Sequence, residues 1–368
     1  MVLMNPGPVM VDERVRAALT RPDMCHREAE FSALMTAVRE KVTRVCGGGP
    51  EYSSIVITGS GTASLEAVIS SVIPSGGRLL VLDNGHYGER LAAIAGRHRV
   101  PCVSIERGWS HPFDPAQLER ALQADPQITH VAVVHHETST GMLNPLHAIG
   151  EIAARHGRWL IVDAISSVGG EIFGVCEDNV AWCIGTANKC IEGIAGLSFV
   201  TAPKKNWEAL KAIPARTYYL DLWKLYAAQE HQNAPPFTPA VQAFFAFDVA
   251  LDLMLEEGVG ARHQRYAALA AQLRAGLDAA GFELLLPAEH RSNTLTAIYL
   301  PEGMNYSSLH DRLREAGFAI YAGQDALKNR VFRLANMGQI TAADIGRFLD
   351  ALGRVLASSA GGRAGLGK

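Results

Sequence analysis

No apolar run in the sequence is long enough to cross a membrane, and the opening MVLMNPGPVM has no charged stretch ahead of an apolar core. A secretory signal and a membrane anchor are not expected, and the chain reads as cytoplasmic. There is no basic excess either. Lys and Arg number 34 against 37 Asp and Glu, a net charge of −3, which argues against a nucleic-acid partner. The six cysteines, at 25, 46, 102, 176, 183 and 190, never form a C-x-x-C pair. Reduced thiols fit this scatter better than disulfides or zinc. His135-His136-Glu137 is no metal site, because neighbours on a strand face opposite ways. No fixed-period repeat is present.

The body of the chain alternates. Runs nearly continuous in Val, Ile and Leu at 53–59, 78–83, 100–106, 129–137 and 158–164 read as strands buried on both faces. Amphipathic helical patterns lie between them. This is an α/β domain with a mainly parallel sheet, and its ligand belongs at the carboxyl ends of the strands. After about residue 203 the pattern shifts to long helices. Short strands follow near 282–286, 294–300, 318–321 and 330–334, with helices near 306–316 and 341–357. The expected division is a large domain over 15–257 and a smaller α+β domain over 258–357, joined by the N-terminal segment 1–14. The tail 358–368 is expected to be disordered.

Four residue groups carry chemistry. In TGSGTASLEAV (58–68) a strand turns through glycines into a helix that Ser60 or Thr62 can cap, and a helix N-terminus binds phosphate. The same stretch nearly fits the dinucleotide fingerprint, with Asp83 after the next strand, but the third glycine is missing. Asp163 closes the apolar run WLIVDA, as a helix cap or an active-site acid does. Lys189 stands in TANKCIEG (186–193) among small residues, and the strand-like AWCIG (181–185) brings it to the same edge as Asp163. A lone lysine is more often a surface residue, yet these neighbours permit close backbone approach. Arg333 lies within the apolar VFRLANMG, where a buried guanidinium requires an anion, from an internal salt bridge or from a ligand. Together the groups suit pyridoxal 5′-phosphate, which needs an anion cradle, an acid beside its ring nitrogen, a Schiff-base lysine and an arginine for the substrate's acidic group.

NPGPV (5–9), GSGTASLEA (59–67), NGHYGER (84–90), HHETSTGMLNP (135–145), VDAISSVGG (162–170), TANKCIEG (186–193) and FRLANMG (332–338) make the link to a family. With these motifs the chain resembles the class V, fold-type I aminotransferases, in the alanine–glyoxylate and 2-aminoethylphosphonate–pyruvate transaminase branch. The resemblance covers about residues 3–350. It implies a seven-stranded type of sheet, and a cofactor phosphate held by Ser60, Gly61 and Thr62. It implies Tyr87 stacked on the pyridine face, with Thr138 and Thr186 as further cofactor contacts. Asp163 would pair with the ring nitrogen and Lys189 would form the Schiff base. Pro6, Gly7 and Arg333 would meet the substrate. Thr238 would reach the cofactor phosphate of a partner subunit, which implies a homodimer with shared sites. The implied reaction moves an amino group from a small acidic amine, foremost 2-aminoethylphosphonate, to pyruvate. Alanine–glyoxylate or serine–glyoxylate exchange, or a lyase on the same scaffold, are the alternatives. Two stretches depart from the phosphonate pattern: DMCHREAEF (23–31), and Pro235-Pro236 ahead of Thr238. A desulfurase would need a late catalytic cysteine, whereas all six lie at or before 190. A nicotinamide enzyme would leave Lys189 and Arg333 without a role.

Overall fold

The computed structural model describes residues 1–361. The apolar runs form seven strands: β1 (Tyr52–Thr58), β2 (Arg78–Asp83), β3 (Cys102–Glu106), β4 (Ile128–Val134), β5 (Trp159–Asp163), β6 (Val180–Thr186) and β7 (Leu197–Pro203). They lie in the order β1-β7-β6-β5-β4-β2-β3. Only β7 runs against the direction of the other six. β7 is absent from the sequence reading. It follows β6 after the short loop that carries Lys189. So brief a return can only be antiparallel, because a parallel pair needs a long crossover.

Strand alternation splits the buried side chains between two cores. Val56, Leu80, Val131, Leu160, Val162 and Cys183 face one side. Helices α1 (Ala29–Val45), α4 (Pro115–Ala124), α5 (Leu146–Arg155) and α6 (Val241–Glu257) cover that side. Ile57, Leu79, Val81, Ile161, Trp182 and Ile184 face the other, beneath α2 (Gly61–Val72) and α3 (His86–Arg97). With both faces covered, polar groups can collect only at the strand ends. β1, β2, β4, β5 and β6 all finish at one edge, and residues 59–62, 84–87, 135–138, 163–166 and 187–189 meet there.

Gly258, at φ 85°, breaks the chain between α6 and α7 (Val259–Ala279). Beyond it, β8 (Leu295–Tyr299), β9 (Tyr321–Ala322) and β10 (Val331–Ala335) form an antiparallel sheet in the order β8-β10-β9. Helices α8 (Tyr306–Glu315) and α9 (Ala342–Gly361) pack nearby. Their core of Leu273, Ile298, Leu313, Phe332 and Phe348 includes Met4 from the start of the chain. Val2–Leu3 pairs in parallel with Phe318–Ala319, and Ala335 N donates to Met4 O at 2.9 Å.

Two expectations are corrected. The strand foreseen at 282–286 is a single bridge, Leu284 to Ile298. Its sequence FELLL has the apolar content of a strand, but Phe282 and Leu286 are core anchors at either end of an irregular segment. Of the tail expected to be disordered from 358, residues 358–361 are helical, since α9 continues without a breaker through SSA. The rest of that expectation lies outside the described residues. No described helix is long and apolar enough to cross a membrane.

Three histidines in and just after β4 are buried. His130 packs edge-on against Trp159 at 5.2 Å and His135 against Phe173 at 5.1 Å. His130 Nε2, His135 Nδ1 and His136 Nε2 have no hydrogen-bond partner among the described residues. Burial pushes their pKa values down, to about 3, 3 and 4. Each is neutral in the fold but gains a proton in the unfolded chain below about pH 6.5. Their contribution to stability is therefore complete above that pH and falls as the pH drops. The slope is about 1.4 kcal/mol per unit for each imidazole. The urea midpoint should be lower at pH 5 than at pH 7, and His130→Phe should flatten part of that fall. An unchanged slope in the variant would remove His130 from the titrating groups.

Candidate active site

Eight of the expected residues line one cavity of about 160 Å³: Ser60, Gly61, Thr62, Tyr87, Thr138, Asp163, Thr186 and Lys189. Arg90, not singled out from sequence, and His136, noted there only in a dismissed metal triplet, line it too.

The phosphate-side wall is the start of α2. Ser60 occupies the cap position, but its hydroxyl makes no capping hydrogen bond; the Ala63 N–H turns back to the Ser60 carbonyl at 2.8 Å, which leaves the Gly61 and Thr62 N–H groups for a ligand. A side chain at Gly61 would come within 2.6 Å of Ile165, so only glycine lets the helix start this close to the strand end. Arg90 Nη1 donates to Thr62 Oγ1 at 3.2 Å, and its guanidinium lies 4.6 Å from the Tyr87 ring centre. Arg90 follows Tyr87 by three residues, one helical turn along the same face. That register within NGHYGER was the available signal for it.

Asp163 is 3% exposed, and its Oδ1 accepts from Ile165 N at 3.0 Å. Burial pushes its pKa up to about 7, with the Glu137 charge adding to the rise. The Ile165 N–H, Arg90 and Lys189 oppose it. Thr186 Oγ1 donates to Asn188 Oδ1 at 2.9 Å and fixes the turn ahead of Lys189. The Lys189 amine donates to the Pro6 carbonyl. Burial pulls its pKa down to about 8; Arg333 and Arg90 add to this, while Cys190 and Asp163 oppose it. His136 Nδ1 donates to Ser166 O at 3.2 Å, which leaves Nε2 as a bare buried acceptor.

Glu137 is wholly buried. Its carboxylate accepts from Tyr87 N at 3.0 Å, Gly88 N at 3.3 Å, Ser139 N at 3.0 Å and Ser139 Oγ at 2.6 Å. In the sequence it stood out only as part of a dismissed metal triplet.

Arg333, on β10, is 4% exposed. It donates to Ala322 O at 2.9 Å, Thr138 O at 3.0 Å and Gln324 Oε1 at 2.8 Å. All of these acceptors are neutral, so the internal salt bridge weighed as an alternative is not what the fold contains. Arg333 is not part of the cavity lining and joins it through Thr138. Thr238 is exposed and lies apart, in the 235–239 turn beside Tyr219 and Phe237.

The family model for class-V aminotransferases matches residues 12–348. The chain belongs to the class-V aminotransferase family. It is 38% identical over 360 residues to a 2-aminoethylphosphonate–pyruvate transaminase of Vibrio vulnificus, covering 96% of this chain and 97% of that protein. Among solved structures, pyridoxamine–pyruvate aminotransferase from Mesorhizobium loti superposes with a TM-score of 0.92. It is 29% identical, over 98% of this chain and 93% of that one. Alanine–glyoxylate aminotransferase from Nostoc sp. gives 0.91 at 27% identity, over 96% and 95%. The protein is a pyridoxal-phosphate-dependent transaminase with a fold-type I architecture.

The residues in the cavity fit the cofactor. Free N–H groups, two hydroxyls and Arg90 offer donors for a phosphate. A carboxyl with its pKa near 7 can face a ring nitrogen, and a desolvated amine can meet an aldehyde. Gly7 tests this arrangement. It has φ 128°, and an added Cβ would lie 2.6 Å from the Lys189 amine. Gly7→Ala should therefore slow covalent loading of Lys189 by about tenfold or more, since a misplacement near 1 Å costs that much or greater. The rise of cofactor absorbance after mixing with the apo-protein measures it, and a normal rate would show that the contact relaxes.

Proposed function

We propose that this transaminase takes the amino group of 2-aminoethylphosphonate and gives it to pyruvate, yielding phosphonoacetaldehyde and L-alanine. The observation that carries this reading is Arg333. It is a buried cation whose protein partners are all neutral, so its charge is available to the acidic group of a substrate. The Vibrio relative, named for this pair of substrates and matched nearly end to end, supports it. Both half-reactions use one site, so a single fork must accept phosphonate and carboxylate in turn, and a guanidinium suits both.

When bound, pyridoxal phosphate supplies an aldehyde that takes up the amino group and a ring that draws electrons from the carbon losing its proton. The chain's own residues do the rest. Ser60, Gly61 and Thr62, backed by Arg90, would hold the phosphate at the helix start. Tyr87, His136, Thr138 and Thr186 would line the space for the ring. Asp163 would hold a proton at the ring nitrogen. The Lys189 amine, with its pKa near 8, is partly neutral at physiological pH. It can act as nucleophile and then move the proton between neighbouring carbons as a base. Pro6 and Gly7 close the site over that amine and exclude water. Thr238 serves the site of a second copy, in a cytoplasmic homodimer. In each copy the small domain is built from 258–357 with segment 1–14.

A donor screen with pyruvate or glyoxylate as acceptor tests the assignment. The expected result is fast transfer from 2-aminoethylphosphonate to pyruvate. Faster transfer from alanine or serine to glyoxylate would replace it with the other branch of the family. Arg333→Lys keeps the charge but loses the fork. It should raise KM for pyruvate and for the donor by about 1–3 kcal/mol each and leave cofactor retention unchanged. Loss of cofactor with normal KM values would reassign Arg333 to the support of the small domain.

A further inference from the structure

The two walls of the cavity come from distant parts of the chain. Tyr87 and Arg90 stand at the start of α3. Thr138 sits in the turn 137–141, and its carbonyl is one of the three acceptors that hold Arg333. A single buried side chain touches both. One oxygen of Glu137 takes the N–H groups of Tyr87 and Gly88, and the other takes the N–H and hydroxyl of Ser139. Ser139 Oγ in turn accepts from His86 N at 3.3 Å, a second tie between the same walls. The packing leaves no slack. A Cβ on Gly85 would lie 2.5 Å from Glu137 Cγ and Cδ. The Glu137 carbonyl also accepts from Gly141 N at 2.8 Å, so the side chain grows from a turn that is itself closed.

We infer that Glu137 is a positioning residue that sets the cofactor-facing wall at Tyr87 and the acid-binding pair Thr138–Arg333 at a fixed spacing. A carboxylate is the group that fits this place. All the neighbours that meet it are donors, and only an ionised acid offers acceptors on both oxygens. The consequence is that cofactor affinity and affinity for the acidic substrate depend on one residue that touches neither. The inference rests on the reading of this cavity as the transaminase site.

The test is Glu137→Leu, which removes both acceptors at nearly constant volume, with Glu137→Gln beside it. In the cofactor-free protein, hydrogen–deuterium exchange should rise in peptides covering 86–89 and 138–140 together in the leucine variant. After loading, the dissociation constant for pyridoxal phosphate and KM for pyruvate should both rise by about tenfold or more, with a smaller change in kcat per loaded site. An amide has one acceptor oxygen, so Glu137→Gln can satisfy one wall only. It should raise exchange in one of the two peptides and shift only the constant belonging to that wall. If the leucine variant does not fold, the glutamine variant decides. A folded variant with both constants within about twofold of wild type overturns the inference, since a purely structural residue lowers the unfolding temperature without moving them. A glutamine variant whose altered constant belongs to the protected wall overturns it as well. Failure of the functional reading is separable. A wild-type protein that carries no phosphopyridoxyl group on Lys189 after borohydride reduction refutes that reading, whereas the exchange measurement on cofactor-free protein does not depend on it.

Discussion

A sheet buried on both faces can place polar side chains only at its ends, and this constraint organises the whole molecule. Side chains along the seven strands are committed to one of two apolar cores. The residues just past the strands are free of that commitment. Because the strands other than β7 run the same way, five of their carboxyl ends and the segments that follow them converge on one edge. A single short antiparallel return, β6 to β7, then presents Lys189 at that edge without a crossover.

Desolvation turns this gathering of polar groups into chemistry. It lowers the lysine and raises the aspartate, so that two groups normally ionised at neutral pH are brought near the point where each can hold or release a proton. It also leaves positive charge without a matching acid. Arg90 donates to a threonine hydroxyl and a histidine, and Arg333 to carbonyl groups. A cavity with that balance favours ligands bearing two negative groups at opposite ends, a description that fits a phosphorylated cofactor joined to an acidic amine.

Much of this was legible in the sequence, for reasons that can be named. Runs such as RLLVLD and WLIVDA have no reading but buried strands, and the acid that ends the second is polar for want of a core position. Lys189 stood out because it is the only basic residue between Arg158 and Lys204. Glu137 did not, although it has more partners than any of the residues that did. Three of its four donors are backbone N–H groups, at 87, 88 and 139, and a sequence shows no backbone geometry. Arg90 was hidden for a related reason. A charged residue near the start of an amphipathic helix usually faces water, and only the position of α3 against the cavity turns it inward. The helical continuation to Gly361 was missed because serine and alanine read as tail while offering no stop signal.

The N-terminal segment has a consequence for the order in which the protein is made. Pro6 covers the Lys189 amine, while Val2–Leu3 is held by Phe318–Ala319 and Met4 by Ala335. Residues 2–4 therefore find their final neighbours only when residues 318–335 have emerged from the ribosome. The large sheet can assemble well before that, with its lysine still open to water. A stalled or shortened chain can thus resemble the finished enzyme in most of its secondary structure and still have no closed chamber around the amine. Cofactor capture then reports the arrival of residues 318–335 rather than completion of the sheet.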